Sequence, residues 1–556
     1  VRFYWGDLHR FEWWLLGATI LAALLWPRRW RVALPPAPRA CWKGVLLVTL
    51  VALALRLALA PFLPPPEPSV GDEFSYLLQA DTFASGRATN PTHPLWPHFE
   101  SYHIFHQPTY QSMYPPVQGL LLALGQRLGH PWIGVWLSGG LACGAICWML
   151  YGWFPARWAL LGGWLAVLKL AAASYWTTTY WGGAHAAAAG ALVLGALPRL
   201  RRAPAASTAT LLALGLAILA NSRPYEGLLL AVVAGAYLWR PLRSPRVLLP
   251  VAAALALTAA AMGWYFWRVT GDPLRMPYQV NRATYGWPAT LPWMDMPVLE
   301  YRHATLRAYA GWERDFHNQY DSWSGFALWI PVKTEMLWSF FLGPSLTLPF
   351  LLGLRGPRLG PLAWTTVVVL AGVGLGQTAA PHYAAPAAGS IVALTVEGLR
   401  VLRTWRVRGR RTGRLWAAAA PAILLLALAL RIAPSLHLPV YGSAFSWCCA
   451  PPGNLARAAL RDHLQRQPGK LLVIVRYAAH HNFHQEWVYN RADIDGAKVV
   501  WAREMSAEEN RRLLEYFRDR RALLVEPDER PPRLSDYRLA PGGPPQHPDT
   551  RYQPPP

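Results

Sequence analysis

The chain is 556 residues long, 53% of them hydrophobic, 13% aromatic and only 15% charged, against the roughly 25% charged share of a soluble domain. Its mean hydropathy is positive and it holds 30 Trp. An ordinary water-soluble enzyme is thereby excluded, and a chain that meets lipid repeatedly is implied, since a spanning helix needs roughly 20 apolar residues. The net charge of +23, from 53 basic and 30 acidic residues, rests mostly on arginines, many of them in short links between apolar runs, so it reports topology and no nucleic-acid partner is expected.

In chain order, the apolar runs predict about twelve spans, near 13–26, 44–63, 131–151, 158–174, 184–198, 207–221, 226–240, 247–267, 335–354, 361–380, 384–400 and 415–434. The first is followed by Pro27-Arg28-Arg29 rather than a small-residue cleavage site, so it reads as a span and not as a leader. The links 27–43, 198–206, 240–246, 354–360 and 400–414 hold five, three, three, two and seven Lys or Arg, while 174–183, 222–226 and 380–384 hold none, one and none. The positive-inside rule makes the first group cytoplasmic and puts a loop of about 64–130, a second of about 268–334 and the tail on the other face. The expected fold class is an all-α polytopic membrane protein with a small C-terminal α/β soluble domain. Its divisions are an N-terminal span and basic cytoplasmic loop (1–43), a transmembrane domain (44–434), an extracytoplasmic α/β domain (435–540) and a disordered tail (541–556).

Within the α/β domain, Leu471 to Val475, Lys498 to Trp501 and Leu523 to Val525 read as strands. Ser506 and Glu509 form a capping box that opens a helix running to about Arg521. Cys41, Cys143 and Cys147 read as packing residues, and adjacent Cys448 and Cys449 as either a vicinal disulfide or two separate thiols.

The chemistry concentrates in the first loop. Asp72 and Glu73 follow the second span, a run of small residues leads to Gly86, and Tyr114-Pro115-Pro116 opens the next apolar helix. Two adjacent carboxylates beside hydrocarbon are costly without a role. One can serve as general base or hold a divalent cation, or Asp72 can simply cap the helix that follows.

This arrangement resembles the GT-C superfamily of polyprenyl-phosphate-sugar-dependent glycosyltransferases, in particular the protein O-mannosyltransferase and lipid A aminoarabinose transferase branch. The resemblance covers residues 44–130 most clearly, weakens through 400 and is absent in the tail. It implies inverting transfer of a sugar from a polyprenyl phosphate to an acceptor hydroxyl, on the extracytoplasmic face of a bacterial cytoplasmic membrane. Asp72 would be the base and Glu73 its catalytic neighbour; the acceptor stays open among protein, lipid and glycan. The lysine that several relatives carry before the Pro-Pro step is absent here, where Met113-Tyr114 stands.

A donor phosphate needs cations. Arg223 is the single basic residue of the three short outer links, His382 resembles a His-Tyr element of this branch, and Lys333, with Arg282 and Arg302, is a candidate substitute for the missing lysine. Snorkelling or pairing with Glu226 is the bland alternative for Arg223, and capping or packing for His382. Glu100, His103, Tyr114, Tyr180, Trp181 and His185 are candidate substrate contacts, the last three because Gly182 and Gly183 allow close approach beside a polar residue entering a span. His93, His98, His103 and His106 match no zinc signature, though His103 and His106 would share a face if their segment were helical. No cofactor is required, and a divalent cation stays open. Trp287, Trp293, Trp312 and Trp323 fit either sugar stacking or an interfacial belt. A transporter or lipid flippase is the runner-up, against which stand the lack of an internal repeat and acidic residues clustered at span ends. A metal-dependent hydrolase using His103 and His106 is the third.

Overall fold

The computed structural model describes residues 5–25, 34, 36–286, 291, 293, 294, 296–356, 359–376, 379–406, 412–433 and 445–538. Trp287 and the tail 541–556 lie outside the described residues. The chain forms two compact units, one of Val1–Pro65, Trp132–Ala260 and Ser324–Pro452, the other of Pro66–Pro131, Ala261–Trp323 and Gly453–Pro556.

The first unit is helical. Among the described residues five helices are long and apolar enough to cross a membrane: Cys41–Ala58, Pro131–Trp153, Pro245–Thr270, Ala385–Leu402 and Thr412–Ile432. Shorter apolar helices, Ala206–Ala220, Pro224–Leu238 and Gly360–Leu375, fall on three more of the predicted runs. The run 335–354 is not one straight span: helices Trp323–Phe341 and Gly343–Gly353 meet at 98°. Gly343 turns the corner at φ +68°, where a side chain would be strained and its Cβ would meet the Glu12 carboxylate.

Glu12 explains why that corner is stable. Its Oε1 accepts the Ser345 backbone N–H at 3.0 Å, satisfying a free donor in the first turn of the second half-helix, and its Oε2 pairs with His9 Nδ1 at 3.0 Å. His9 Nε2 reaches Ser339 Oγ in the first half-helix at 2.8 Å. The helix Trp5–Leu25 thus spans the bend with two polar side chains.

The second unit gathers both predicted loops with the tail. Its sheet runs β4-β3-β5-β6, with β3 (Leu471–Val475) parallel to β4 (Val499–Arg503) and β5 (Arg521–Glu526), and β6 (Arg533–Asp536) antiparallel at the edge. Every residue of β3 is buried, as a central parallel strand covered on both faces requires. The Ser506 and Glu509 capping box forms as expected, but the helix is Ala507–Tyr516, and Arg521 already belongs to β5. A helix at Leu455–Arg466 and the edge strand β6 complete the domain. In the first loop, β1 (Ile104–Phe105) and β2 (Gln111–Ser112) form a small hairpin.

Ion pairs join these segments. Arg503 donates to the Glu100 carbonyl at 2.5 Å, to Thr305 Oγ1 at 3.0 Å and to Glu486 Oε2 at 2.6 Å, tying the first loop, the second loop and the tail through one guanidinium. Asp81 accepts from Arg491, Gln126 and the Ala492 backbone. Burial alone would raise its carboxyl, but these donors hold it below the ordinary value.

Candidate functional site

The helix Gly71–Ala84 begins after extended Val70, with Asp72 and Glu73 in its first turn, where the helix dipole favours negative charge. The two carboxylates then separate. Glu73 is buried, and its Oε2 accepts the Ser69 N–H at 2.9 Å, so it closes the start of the helix. Asp72 makes no cap bond and its side chain keeps 35% exposure. The capping role weighed for Asp72 therefore falls to Glu73.

Two side chains meet Asp72. Tyr114, just before the Pro115-Pro116 step, donates its hydroxyl to Asp72 Oδ1, and its ring stacks on Tyr76 with centroids 4.3 Å apart. His103 brings Nδ1 to 3.6 Å from Asp72 Oδ2. On its far side, Nε2 lies 3.2 Å from the Tyr309 hydroxyl. His103 takes up φ +58°, a left-handed conformation unusual for a residue with a side chain. Its carbonyl is fixed by Ser75 Oγ at 2.6 Å and by the Met113 N–H at 3.0 Å, which hold the strained backbone in place. Burial pushes the imidazole down to about 4, with Asp72 pulling the other way, so it is neutral at neutral pH.

One helical turn on from Tyr309 in helix Ala304–Asn318 stands Glu313. Arg282 is 3.4 Å from Glu313, with both side chains buried. Burial raises the Glu313 carboxyl to about 7 against the pull of Arg282 and the Tyr309 hydroxyl, and the Asp72 charge adds to the rise. Arg282, one of the three substitute cations, is thus beneath the site; its charge acts on His103. Arg302 pairs instead with Glu100 at 3.0 Å and covers the Trp96 ring.

The remaining candidates of this unit are engaged by neighbouring side chains. Glu100 accepts from Tyr285 and Arg302 and lies 3.3 Å from His303. Burial opposes its ionisation, yet these partners hold its carboxyl below the ordinary value. The segment of His103 and His106 is extended at β1, not helical, so the two do not share a helical face. His106 stacks on Tyr110 and Trp96 instead. Among the described residues no group of three or more His, Cys, Asp or Glu is placed to hold a metal ion.

The helical unit carries its own cluster. The Tyr175 hydroxyl accepts the His382 backbone N–H at 2.8 Å and lies 2.9 Å from His382 Nδ1. Arg223 covers the Tyr383 ring at 4.7 Å, and its charge acts on His382. Trp181 stacks on Phe445 at 5.0 Å, and Tyr180 is buried. The buried Nδ1 of His185 has no hydrogen-bond partner among the described residues. Gly183, at φ +117°, lets the backbone pass where a Cβ would strike the Trp176 indole. Lys333 donates to the carbonyls of Gly374 and Gly376 at 2.9 and 2.7 Å, closing the C-terminal end of helix Gly360–Leu375. Cys448 and Cys449 form a disulfide.

Sequence reasoning passed over Tyr309 and Glu313. Tyr309, Trp312 and Glu313 recur at helical spacing on helix Ala304–Asn318, a signal that was present once that segment is read as a helix. His484 stands in the tail, 412 positions from Asp72 in sequence yet within reach of its charge.

No family model matches the chain, and no curated protein does. Solved structures with a similar fold include ArnT from Cupriavidus metallidurans bound to undecaprenyl phosphate, at 13% identity and TM-score 0.45, covering 88% of this chain and 93% of that one. Another is the Archaeoglobus fulgidus oligosaccharyltransferase tethered to an acceptor peptide, at 11% identity and TM-score 0.43, covering 79% of this chain and 62% of that one. This chain therefore spans less than two thirds of the archaeal enzyme.

Proposed function

We propose that the protein is a membrane glycosyltransferase that moves a sugar, with inversion, from a polyprenyl-phosphate donor to an acceptor hydroxyl. One observation carries the reading: of two adjacent carboxylates, Glu73 is buried and closes its own helix, whereas Asp72 is half-exposed, free of any cap bond, and held by the Tyr114 hydroxyl. A carboxylate so placed can take a proton from an entering hydroxyl. The acceptor oxygen then attacks the anomeric carbon, the bond from that carbon to the phosphate oxygen breaks, and the polyprenyl phosphate leaves with the electron pair. No protein nucleophile is needed for single displacement.

In this reading Tyr114 orients Asp72, neutral His103 backs its second oxygen, and Glu73 positions the helix. Arg223 and His382 in the helical unit are the groups assigned to the donor phosphate, with Tyr180, Trp181 and His185 as donor-side contacts; Lys333 keeps its helix-capping role. The active side faces outward from a bacterial cytoplasmic membrane, with about twelve spans. A divalent cation is not part of the scheme.

The test is mass-spectrometric turnover of a panel of polyprenyl-phosphate sugars by purified protein in membrane extract, with Asp72→Asn beside it. Release of free polyprenyl phosphate by the wild type and its loss in the variant is the expected result. Donors left intact by a folded, lipid-binding wild type would turn the assignment toward a transporter or flippase.

A further inference from the structure

The tail reaches Asp72 through one loop. Residues 476–498 link β3 to β4, and β3 is the central strand, flanked by β4 on one side and β5 on the other. In parallel sheets the loops leaving the carboxyl ends of strands at such a point are where ligands bind. This loop carries Phe483 and His484. It is pinned at its base by His481, whose Nδ1 is 2.7 Å from Asp528 Oδ1, and by the Ala478 N–H on Asp528 Oδ2 at 2.9 Å. The Asp72 charge acts on His484 and on Tyr309.

Where the loop arrives it meets rings. Trp312, half-buried on helix Ala304–Asn318, has its ring 4.7 Å from His484, 6.0 Å from Phe483, 5.6 Å from Tyr309 and 5.8 Å from Phe316. Resting on the transferase reading above, we propose that Trp312 and His484, with buried Phe483 packed against them, form the acceptor subsite, taking the apolar face of a sugar ring and presenting one of its hydroxyls to Asp72, so that the acceptor is a glycan. Aromatic faces offer broad apolar contact at little conformational cost, which matches the C–H face of a pyranose. Burial lowers the His484 imidazole, against Asp72, so at neutral pH it offers one donor and one acceptor to sugar hydroxyls without a charge. An anionic lipid headgroup fits less well, because buried Arg282 and Arg503 are engaged by Glu313 and Glu486.

The experiment uses full-length protein in detergent and titrates α-1,6-mannotetraose, cellotetraose and chitotetraose, reading Trp fluorescence and heat. The wild type is expected to bind at least one of them. Trp312→Leu and Phe483→Leu should each weaken binding by about tenfold, the value of one ring contact of about 1.4 kcal/mol. Asp72→Asn should bind within about threefold of wild type while losing turnover, and thermal midpoints confirm that each variant is folded. The proposal is overturned if no tetrasaccharide binds the wild type, if the two ring variants bind as the wild type does, or if a Ser-rich peptide is the species whose binding those rings support. The two readings fail separately. Donor consumption by protein that binds no glycan sinks the subsite and spares the transferase, and glycan binding sensitive to Trp312 with no donor ever consumed does the reverse.

Discussion

The Tyr114 hydroxyl donates to Oδ1 of Asp72, joining the residue before the Pro115-Pro116 step to the first turn of helix Gly71–Ala84. The ring of Tyr114 is fixed separately by its stack on Tyr76, one turn further along that helix. Aim and anchorage of the carboxylate therefore come from one side chain whose two ends do different jobs.

Tyr114→Phe separates them. The stack survives and the hydroxyl is lost, so the protein should keep its thermal midpoint while kcat falls roughly tenfold to a hundredfold, the range expected for a hydrogen bond to a charged group. The KM for donor should stay close to wild type, because the lost contact is to the base and not to the lipid. Steady-state kinetics on the tyrosine variant beside wild type decides it, and an unchanged kcat would remove Tyr114 from the machinery.

The adjacent carboxylates should fail in opposite ways. Asp72→Asn is nearly isosteric at a half-exposed position and is expected to leave stability within about 0.5 kcal/mol while turnover drops at least a thousandfold. Glu73→Ala removes the acceptor of the Ser69 N–H from a buried place, and the expected loss is about 1–3 kcal/mol of stability, the cost of an unsatisfied buried group. Chemical denaturation and donor turnover, measured on both variants, separate the two roles.

How much of this was legible beforehand follows from what local patterns encode. Asp72, its helix and the Pro115-Pro116 step were readable because composition and spacing over some forty residues carry them. So was the Ser506 and Glu509 capping box, which needs only four. The corner at Gly343 was not, because an unbroken apolar run gives no hint that one glycine takes φ +68° and that Glu12, 333 residues before Ser345, caps the second half. His103 and His106 would have shared a face only in a helical segment, and β1 is extended. The aromatic floor beside Asp72 draws on the first loop, helix Ala304–Asn318 and the tail, and pairing of that range leaves no periodicity to read.

Acid should loosen the loop-and-tail unit earlier than its carboxylates would. Burial holds His103 and His106 down to about 4, and it lowers His93 and His98 as well. The unfolded chain protonates these imidazoles from about pH 6.5, so below that point it binds more protons than the folded chain, and stability falls with falling pH until about 4. Asp81 and Glu100, held low in the fold, keep their contribution above about pH 4 and lose it only below. Between pH 7 and 5 the loss should be about 2 kcal/mol for each of His103 and His106. His106→Phe, which retains a ring on Tyr110, should flatten the curve by one such share; an identical slope would show that His106 already protonates in the fold.

Arg503 offers the sharpest test of how the three segments are held. Its guanidinium and the Glu486 carboxylate are each 3% exposed, so both were stripped of water to meet, and their attraction largely offsets that cost without exceeding it by much. Removing one partner leaves the other charge buried alone. Arg503→Met should therefore cost about 3–5 kcal/mol, the usual range for a broken buried pair. Glu486→Met should cost a similar amount, since it strands the arginine. The double variant removes both charges, and its loss should be smaller than the sum of the two by about 2 kcal/mol or more. The bonds from Arg503 to the Glu100 carbonyl and to Thr305 are lost wherever Arg503 is replaced, which keeps the double variant from reaching wild-type stability. Additive losses in a denaturation cycle would mean that Arg503 serves the two loops alone and that its pairing with Glu486 adds nothing.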